Sequence, residues 1–310
     1  MTLRVAIMTD AVGWHTRRLQ AALRRRGAAG RCVDLADCRF DSGAAAHGLV
    51  IPGFGMSLPD AVIVRGIAGG SFEQVTRRLG LLHALRELGV PVYNEARAIE
   101  RSVDKSMTSQ LLHIAGLPTP PSWALESAAL AQRLLVREAA AGHGLVLKPL
   151  FGSQGKGLQR VGLVDDGSFR PLPPLTPDYG AVACLQRYVA PQTRPGFDWR
   201  VLVIGGRAVA AMRRVSDHWV HNVAQGARAA RAELTPELAS LATRAAAALE
   251  LDYAGVDVIP GPEGPLILEV NGVAAWQGLQ RVSDIDIAQA LIDDLLERRL
   301  ALQAVQPRLA

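Results

Sequence analysis

The chain of 310 residues is poor in cysteine, in aromatic residues and in long apolar runs. Its three cysteines, Cys32, Cys38 and Cys184, are odd in number and lack the spacing of a metal site, a usage expected in a reducing cytoplasm. No apolar run approaches the roughly 18 residues of a membrane span. The first residues run directly into a strand-like segment, so the sequence predicts neither a membrane anchor nor a signal peptide.

Aromatic residues make up 5% of the chain and are not interleaved with the basic ones, which disfavours base-stacking surfaces for nucleic acids. The net charge of +5 still favours an anionic partner, which could be a nucleotide, an acidic metabolite or a nucleic acid. We expect the densest basic cluster to be a solvated helix face rather than a nucleic-acid-binding surface. It falls on one predicted helix and its end, and contains Arg17, Arg18, Arg24, Arg25 and Arg26.

Lysine is the scarcest charged residue: lysine and arginine together number 34, and the lysines are Lys105, Lys148 and Lys156 alone. Lysine is a compact point charge, whereas arginine is a planar fork, so the two are not interchangeable at a tight phosphate site. The three lysines surround the loop 151–157, which holds three glycines and follows a predicted buried strand over 145–148. Glycine lets backbone amides approach phosphate oxygens. Such a loop alone is more often a hairpin turn, and it matches neither a Walker A nor a dinucleotide motif, but the lysines favour a nucleotide site.

Two short apolar runs, 255–260 and 266–271, flank a Pro-Gly-Pro-Glu-Gly turn and predict a β-hairpin. If Pro260 lies opposite Leu266 across a five-residue loop, Asp257 lies opposite Glu269, with β-carbons about 5 Å apart. Two carboxylates so placed are unfavourable unless a cation lies between them. With Asn271 on the same face, the hairpin offers the hard oxygen ligands that Mg²⁺ prefers. The alternative is a hairpin whose polar ends face water, and a one-residue slip in register would remove the site.

Residues 1–94 alternate strand-like and helical segments, which predicts a parallel sheet covered by helices. We predict strands over 4–8, 61–65 and 91–93 and helices over 16–26 and 72–88. The loops 9–14 and 66–71 follow strand ends, where ligands of open α/β sheets usually bind. His15 and Arg65 are therefore candidate substrate contacts, although polar residues satisfied within the protein are the commoner case.

The rest of the chain is predicted to combine helices with antiparallel strands. Asp104 is a plausible N-cap for a helix over 104–116, which follows a connector over 94–103. We further predict helices over 127–141, 234–249 and 284–302, strands over 181–189, and a strand pair over 200–212 that turns at Gly205-Gly206. The proline-rich stretch 163–179 is predicted to be an excursion, that is, a loop that leaves the regular helices and strands.

Two other kinds of chemistry find little support. The pair His218 and His221 has no further ligand spacing, so a surface or substrate-pocket role is favoured over zinc binding. No Gly-x-Ser-x-Gly elbow is present, and Cys184 lies inside a predicted strand, so a nucleophilic hydrolase is unsupported.

The motifs, taken in order, resemble the RimK-type ATP-grasp α-L-glutamate ligases, which include the ribosomal-protein and tetrahydromethanopterin glutamate ligases. The resemblance covers nearly the whole chain. The matching pieces are Asn94, Asp104-Lys105, Lys148-Pro149 with the loop 152–157, 186–189, 198–200, Arg213-Arg214, Asn222 with Gly226, 254–257 and 269–271. The resemblance implies an α/β (α+β) ATP-grasp fold with a Rossmann-like pre-ATP-grasp domain over 1–94, a central lid domain over 104–190 and a C-terminal domain with the metal site over 191–302.

The resemblance also implies roles for individual residues. ATP would lie between the last two domains, in contact with Lys105, Lys148 and the 186–189 strand. Asp198 would bind the ribose side of ATP or orient Arg200. The loop residues over ATP would be Gly152, Ser153, Gln154, Gly155, Lys156 and Gly157. Within the strand formed by Gln186, Arg187, Tyr188 and Val189, backbone groups of Arg187 and Val189 would read adenine. The expected metal ligands are Asp257, Glu269 and Asn271, for Mg²⁺ or alternatively Mn²⁺.

Two positions depart from the family pattern. Relatives usually have glutamate where Arg187 stands, but because that contact is largely through the backbone we expect adenine binding to survive. Many relatives carry arginine two positions before the asparagine that matches Asn222, whereas this chain has Val220. Arg213 or His221 could replace that contact, and both join Asn222 as candidate substrate residues.

The resemblance implies an ATP-dependent, ADP-forming carboxylate–amine ligase. Such enzymes transfer the γ-phosphoryl group of ATP to a carboxylate, and an amine then attacks the acyl phosphate, chemistry that needs mainly positioning and charge neutralisation. Arg214 is the expected stabiliser of the acyl phosphate, with Arg200 beside it, although both could serve only as buried salt-bridge partners. We expect L-glutamate to be added to a small cofactor-like acceptor of the tetrahydromethanopterin or furan-cofactor type.

Other functions stay open at this point. Among enzymes, the second candidate is a ligase that adds glutamate to the C-terminus of a ribosomal protein. A dipeptide ligase of the D-alanine type is less favoured. From another class, the chain could be a nucleotide-binding regulator without catalysis. We expect small-molecule partners, no nucleic acid or membrane, a homo-oligomer (dimer or tetramer) by family analogy, and a cytoplasmic location.

Overall fold

Three sheets follow one another along the chain in the computed structural model, which describes residues 2–43, 47–152, 154–176 and 179–305. The first sheet has the order β2-β1-β5-β6 and is parallel throughout, as predicted. Its strands are β1 (Arg4–Met8), β2 (Ala29–Val33), β5 (Ala61–Val64) and β6 (Val92–Tyr93), with β3 (Arg39–Phe40) and β4 (Leu49–Val50) forming a separate ribbon. The sequence did not predict β2, because its residues show no clear apolar alternation.

Two helices cover the first sheet, and their bounds agree with the predicted helices to within two residues. They are α1 (Trp14–Arg25) and α2 (Phe72–Glu87), and Ser71 caps α2 by accepting a hydrogen bond from the Gln74 amide. The basic cluster on α1 faces the closing helices of the chain: Arg25 pairs with Asp286, and Arg26 pairs with Asp293. These arginines thus help to join the two ends of the chain.

The prediction of a connector over 94–103 is wrong, because helix α3 (Ala96–Val103) occupies most of this segment. Its buried positions Ala96, Ala98, Ile99 and Ser102 have helical spacing, a pattern that is hard to see in so short a segment. Asp104 then caps α4 (Lys105–Ile114) as predicted, since its side chain accepts hydrogen bonds from the amides of Ser106 and Met107.

The second sheet is antiparallel wherever its pairings are assigned and has the order β10-β9-β8-β11-β7. Helix α5 (Ala128–Ala140), capped by Ser127, packs on one face and contributes Ala131 and Leu135 to its core. The strands are β7 (Ser122–Leu125), β8 (Gly144–Lys148), β9 (Gln159–Leu163), β10 (Phe169–Arg170) and β11 (Ala183–Arg187). The short β10 lies in the proline-rich stretch that was predicted as an excursion.

The third sheet is also antiparallel and has the order β14-β13-β12-β15-β16. Its strands are β12 (Gly196–Ile204), β13 (Arg207–Ser216), β14 (Arg228–Arg231), β15 (Tyr253–Gly261) and β16 (Gly264–Asn271). Helix α6 (Pro236–Ala248) is capped by Thr235 as predicted, and it packs on this sheet. The remaining helices are α7 (Gln277–Gln280), α8 (Ile287–Asp294) and α9 (Leu300–Val305), with a π-helical turn over Leu295–Arg299 that joins the last two.

Within the described residues, no helix is both long and apolar enough to cross a membrane. The largest buried cluster instead joins the first sheet to the C-terminal part of the chain, with Ile7 and Leu23 packing together with Leu291 and Ile292. This shared core fixes the carboxyl edge of the first sheet against the loop that follows β16.

Candidate active site

The predicted pairing of Asp257 with Glu269 is confirmed, but the predicted turn is wrong. Pro260 lies opposite Pro265 rather than Leu266, so Pro262 and Glu263 alone connect Gly261 to Gly264. With that turn and a regular ladder, Asp257 would face Leu268. A β-bulge between Asp257 and Val258 absorbs one extra residue of β16 and restores the pairing with Glu269. The bulge therefore decides that the two carboxylates share one face of the sheet.

Two arginines on the neighbouring strands bind the carboxylates of this face. Arg200 lies opposite Asp257, and its Nε and Nη2 donate to the two carboxylate oxygens at 2.7 and 2.6 Å. Arg214 lies opposite Asp198 and makes the same bidentate contact at 2.7 and 2.6 Å. Nη2 of Arg214 also lies 3.0 Å from Asp257 Oδ2. Four charged side chains thus form one network across three strands.

This network keeps Asp257 ionised although it is only 4% exposed. Burial opposes the negative charge, but the guanidinium groups of Arg200 and Arg214 outweigh it and hold the pKa of Asp257 below its usual value. Burial instead raises the pKa of Asp198 to about 7, with Arg214 opposing the rise. Asp257 is therefore the more firmly anionic of the two aspartates and the better cation ligand.

Two of the three lysines converge on this network. Lys148 Nζ donates to Gln186 Oε1 at 2.6 Å, and burial lowers the pKa of Lys148 while Glu269 opposes that shift. Lys105 Nζ donates to the carbonyl of Gly152 at 2.9 Å and lies 3.8 Å from Glu269 Oε1. Lys156 is exposed on the loop itself. Two cations therefore stand at one wall of the cleft between the second and third sheets, where phosphate groups would be neutralised.

The glycine loop lies against the segment that follows β13. Ser153 lies outside the described residues. The Gln154 carbonyl accepts a hydrogen bond from Gln225 Nε2 at 3.2 Å, and both Gln154 and Gly155 have positive φ, +61° and +70°. A β-carbon on Gly155 would lie 2.9 Å from Val220 Cγ1. Tyr179 donates to the carbonyl of Gly157 at 2.8 Å. Gln225 on one side and Tyr179 on the other thus hold the loop over the cleft between the second and third sheets.

Replacing Gly155 with alanine should raise KM for ATP about 10-fold while changing kcat less. The added methyl group requires both a left-handed backbone, which costs about 1–2 kcal/mol, and a shift of Val220. Steady-state kinetics with varied ATP measures the effect. Gly116→Ala is the matched control, because Gly116 has φ +62° with no atom within 4 Å of an added β-carbon. An equal KM in the two variants would contradict this account of the loop.

The strand predicted to bind adenine is joined to α5 by an ion pair. Arg187 Nε and Nη2 donate to Glu138 Oε2 at 3.2 and 2.8 Å, and the Glu138 side chain is 6% exposed. The Arg187 amide donates to the Pro121 carbonyl at 2.8 Å, so it cannot also donate to a base. The Val189 amide has no hydrogen-bond partner among the described residues. Arginine at 187 is therefore accommodated by Glu138, and the amide of Val189 stays available for adenine.

The ion pair between Glu138 and Arg187 should matter for both stability and ATP binding. We expect Arg187→Glu to lower the free energy of unfolding by about 2–3 kcal/mol and to raise KM for ATP, because two carboxylates would then meet in a buried place. Urea unfolding and ATP kinetics measure the two effects. The double variant Glu138→Arg/Arg187→Glu restores opposite charges and should recover most of both. If the double variant recovered neither the stability nor the KM for ATP, charge pairing between these two residues would not be what holds this strand.

The remaining predicted substrate residues separate into two groups. His221 and Asn222 line the cleft together with Val220 and Trp219. Burial, reinforced by Arg214, lowers the pKa of His221 to about 4, so its ring is neutral at neutral pH. Arg213 points to the opposite face of β13, where it is exposed and lies over the Phe197 ring. This position argues against Arg213 as a substrate contact, because successive residues of a strand face opposite sides.

His15 and Arg65 lie together at the carboxyl edge of the first sheet. The Arg65 Nη1 donates to the Ala274 carbonyl at 2.8 Å, and His15 Nε2 accepts from the Trp276 amide at 3.2 Å. Both partners belong to the loop after β16, only a few residues beyond Asn271. These two contacts join the carboxyl edge of the first sheet to the loop that follows the strand of Glu269 and Asn271.

The predicted metal ligands fit a magnesium ion in type and arrangement. Asp257 and Glu269 are direct neighbours on one face, and Asn271 lies two residues farther along β16. Mg²⁺ usually takes one or two protein carboxylates and completes its shell with water and substrate phosphates. No group of three or more histidine, cysteine, aspartate or glutamate side chains is placed to hold a metal within the described ranges. A metal here would therefore depend on the nucleotide for part of its shell.

Two contributors to the site had no role assigned from the sequence. Glu138 gave no signal, because a lone glutamate on an amphipathic helix is ordinary. Asn94 was part of the matched motifs, but its function is visible only in the fold. Its side chain is fully buried and makes four hydrogen bonds, to the carbonyls of Tyr253 and Gly272 and from the amides of Asp252 and Tyr253.

The family comparisons cover nearly all of the chain. The model of the RimK pre-ATP-grasp domain matches residues 3–99, and that of the RimK-like ATP-grasp domain matches residues 102–295. A Methanococcus maripaludis protein named tetrahydromethanopterin:α-L-glutamate ligase is 35% identical over 75% of this chain and 77% of its own. A Salmonella schwarzengrund protein named ribosomal protein bS6–L-glutamate ligase is 31% identical over 94% of both chains.

Solved structures share the fold. The ATP-grasp ligase PsnB, in complex with a phosphomimetic variant of its minimal precursor, Mg and ADP, aligns with a TM-score of 0.70 at 23% identity, over 96% of this chain and 98% of its own. A RimK-domain ATP-grasp protein from Sphaerobacter thermophilus aligns with a TM-score of 0.67 at 21% identity, over 94% of this chain and 98% of its own. At these identities the likeness shows the fold alone.

Proposed function

This chain belongs to the RimK-like ATP-grasp ligases, and from that premise we propose that it adds L-glutamate to a small cofactor-like acceptor of the tetrahydromethanopterin or furan-cofactor type. The enzyme class is that of ATP-dependent, ADP-forming carboxylate–amine ligases. The observation that carries the proposal is the face shared by Asp257, Glu269, Arg200 and Arg214, next to two lysines at the wall of the cleft.

The reaction couples two displacements. A carboxylate oxygen of the acceptor attacks the γ-phosphorus of ATP, and ADP leaves. The amine of the amino acid then attacks the acyl carbon, and inorganic phosphate leaves with the electron pair of the broken C–O bond. Both steps build negative charge on oxygen atoms that sit next to fixed cations, so catalysis rests on positioning and electrostatic stabilisation.

Each part of the cleft has a place in this scheme. Lys105, Lys148 and the loop 152–157 bind the phosphates, and the backbone carbonyl of Arg187 and the backbone amide of Val189 bind adenine. Asp257, Glu269 and Asn271 would hold magnesium, which would neutralise negative charge on the phosphates of ATP. Arg214, with Arg200 beside it, stabilises the acyl phosphate. Asp198 orients Arg214 rather than Arg200, the arginine expected from the resemblance, because its bidentate contact is with Arg214 while Arg200 binds Asp257. His221 and Asn222 border the acyl group.

A second candidate acceptor is the C-terminus of a ribosomal protein. It is favoured by the match to the Salmonella schwarzengrund protein, which spans 94% of both chains. The two candidates differ in the acceptor and share every feature of the ATP site. A test must therefore vary the acceptor while the nucleotide chemistry is kept constant.

Incubation with ATP, Mg²⁺ and labelled L-glutamate distinguishes the acceptors. We expect transfer of label to a reduced pterin or furan cofactor that carries a free carboxylate, with one ADP formed for each glutamate added. Transfer only to a ribosomal-protein C-terminus would favour the second candidate and overturn the first. Alanine-dependent ADP release without glutamate transfer would indicate a dipeptide ligase. Nucleotide binding without any ADP formation would indicate a silent regulator.

The other properties that we propose follow from the family and the composition. Mn²⁺ should replace Mg²⁺ with some activity, because both are hard cations with oxygen ligands. We propose a homo-oligomer that acts in the cytoplasm on small molecules and binds no nucleic acid. Light scattering would check the oligomeric state. Measuring binding to duplex nucleic acid at several salt concentrations would check the proposed absence of nucleic-acid binding.

A further inference from the structure

Arg65 stands at the end of β5 with part of its hydrogen-bonding capacity unused. Its Nη1 donates to the Ala274 carbonyl at 2.8 Å and to the Tyr253 hydroxyl at 3.3 Å, which fixes the guanidinium in place. Its Nε is buried and has no partner, and its Nη2 makes no hydrogen bond to any residue in the described ranges. A buried polar atom without a partner calls for a physical explanation.

Arg65 also has no carboxylate partner among the described residues, although it is partly buried. Three other arginines at low exposure are paired with acids, since Arg200 and Arg214 bind aspartates and Arg299 binds Glu95, whereas the buried Arg78 donates to the carbonyls of Ala68 and Gly69. Removing a guanidinium from water without a counterion is unfavourable. The position of Arg65 is therefore one at which an anion from outside the chain would be stabilised.

His15 adds a second donor at the same place. Burial, reinforced by Arg65, lowers the pKa of His15 to about 4, so the ring is neutral at neutral pH. Because Nε2 accepts from the Trp276 amide, the proton lies on Nδ1, which has no partner within the described part of the chain. The His15 ring packs edge-on against both Trp14 and Trp276, with centroid distances of 5.0 and 4.7 Å, and the two tryptophans also contact each other. This packing fixes the direction of the free N–H group.

The start of α1 strengthens the local positive field. The helix begins at Trp14, has no acidic residue in its first turn, and receives no side-chain hydrogen bond from its N-cap, Gly13. The first amides of a helix carry a partial positive charge that favours anions. The guanidinium of Arg65 and the neutral N–H donor of His15 thus lie beside a helix N-terminus that also favours an anion.

Contacts in the structure connect this group to the reacting centre. Arg65 binds the carbonyl of Ala274, and the Ala274 methyl group packs on Gly255, where a β-carbon would lie only 2.8 Å away. A β-carbon on Gly255 would also be 3.7 Å from Cδ and Nε of Arg200. Ala274 and Gly255 therefore connect Arg65 to the arginine that binds Asp257.

We propose that Arg65 and the Nδ1–H of His15 bind a carboxylate of the incoming amino acid, which places its amine toward the acyl phosphate. This inference rests on the proposed function and adds the place where the amino acid is recognised. The substrate class is an amino acid that keeps at least one free carboxylate while its amine reacts. L-glutamate has two such carboxylates, and the geometry calls for one of them at Arg65.

Binding experiments on the full-length protein loaded with AMPPNP and Mg²⁺ test the proposal. Calorimetric titrations with L-glutamate, L-glutamine and γ-aminobutyrate are compared between the wild type and Arg65→Gln. We expect Arg65→Gln to weaken glutamate binding at least ~10-fold, since a hydrogen bond to a charged group contributes about 1.5–3 kcal/mol. Glutamine lacks the side-chain carboxylate, and γ-aminobutyrate lacks the α-carboxylate. The wild type should prefer glutamate over the analogue that lacks the carboxylate bound by Arg65, and Arg65→Gln should lose that preference. The analogue concerned therefore identifies which carboxylate binds Arg65.

Two further variants control for damage to the fold. His15→Phe keeps the packing against the tryptophans but removes the N–H donor, and should weaken glutamate binding about 3–10-fold. Arg207→Gln removes an exposed arginine that makes no ion pair in the described ranges and should change nothing. The AMPPNP Kd should stay within about 2-fold of the wild type throughout.

The outcomes separate this inference from the proposed function. Equal glutamate affinity in the wild type and Arg65→Gln would overturn the inference, and so would a wild type that binds AMPPNP but no glutamate at 50 mM. In both cases the ATP site of the proposed function would stand. A wild type that fails to bind AMPPNP would overturn the proposed function and the inference with it.

Discussion

Replacing Asp257 with asparagine should reduce amino-acid-dependent ADP formation by about 10³-fold or more. Asparagine keeps the size of the side chain but removes the negative charge that Arg200 and Arg214 share. The variant thus loses the predicted metal ligand and leaves two buried guanidinium groups with a single aspartate between them. Steady-state kinetics at varied Mg²⁺ measures the loss, and the concentration of Mg²⁺ needed for half-maximal rate should rise.

Two comparisons make the Asp257 result specific. Asp284→Asn alters an exposed pair with Arg231 and should leave the rate unchanged. Arg200→Lys keeps the charge beside Asp257 but loses the bidentate contact, so it should lower kcat without raising the Mg²⁺ requirement. If Asp257→Asn kept activity within 10-fold of the wild type, the metal assignment would be wrong.

Replacing Asn94 with alanine should lower the free energy of unfolding by about 4 kcal/mol, the largest effect on stability that we expect from a single change. The substitution leaves two carbonyls and two amides without their partners, and each unsatisfied buried group costs about 1–3 kcal/mol. Water entering the space left by the side chain would recover part of this cost. Urea unfolding monitored by tryptophan fluorescence measures the difference.

The Asn94 prediction has its own controls. Gln192→Ala removes an exposed amide and should change the stability by less than about 0.5 kcal/mol. Asn94→Asp keeps the acceptor but loses both donations and buries a charge, so it should be at least as damaging as alanine. Because Asn94 ties the first domain to β15 and to the loop after β16, a loss below 1 kcal/mol would show that these contacts do not hold the domains together.

Local patterns decided much of the fold. The helices α1, α2, α4, α5 and α6 could be predicted because their apolar spacing and caps are contained in short segments. The connector that became α3 was missed because eight residues offer too few repeats of the helical period. Short strands such as β2 were missed because pairing with a distant strand, rather than local preference, fixes them.

The active-site face shows the same division between local and distant causes. The sequence alone indicated that Asp257 and Glu269 belong to one hairpin and that a separate glycine loop carries a lysine, because residue types and turn signals are local. The tertiary structure alone decided the bulge that keeps the two acids in register, and it decided the aspartate partners of Arg200 and Arg214.

The sequence by itself therefore determined which residues can do chemistry, and the fold decided which of them meet. Glu138 with Arg187, Asn94 with Tyr253, and Arg65 with Ala274 are each separated by 49 to 209 positions. No periodicity or cap signals such pairs, because their contacts form only when sheets and helices from different parts of the chain pack against each other. Pairing of distant charges and burial of polar groups are properties of that packing.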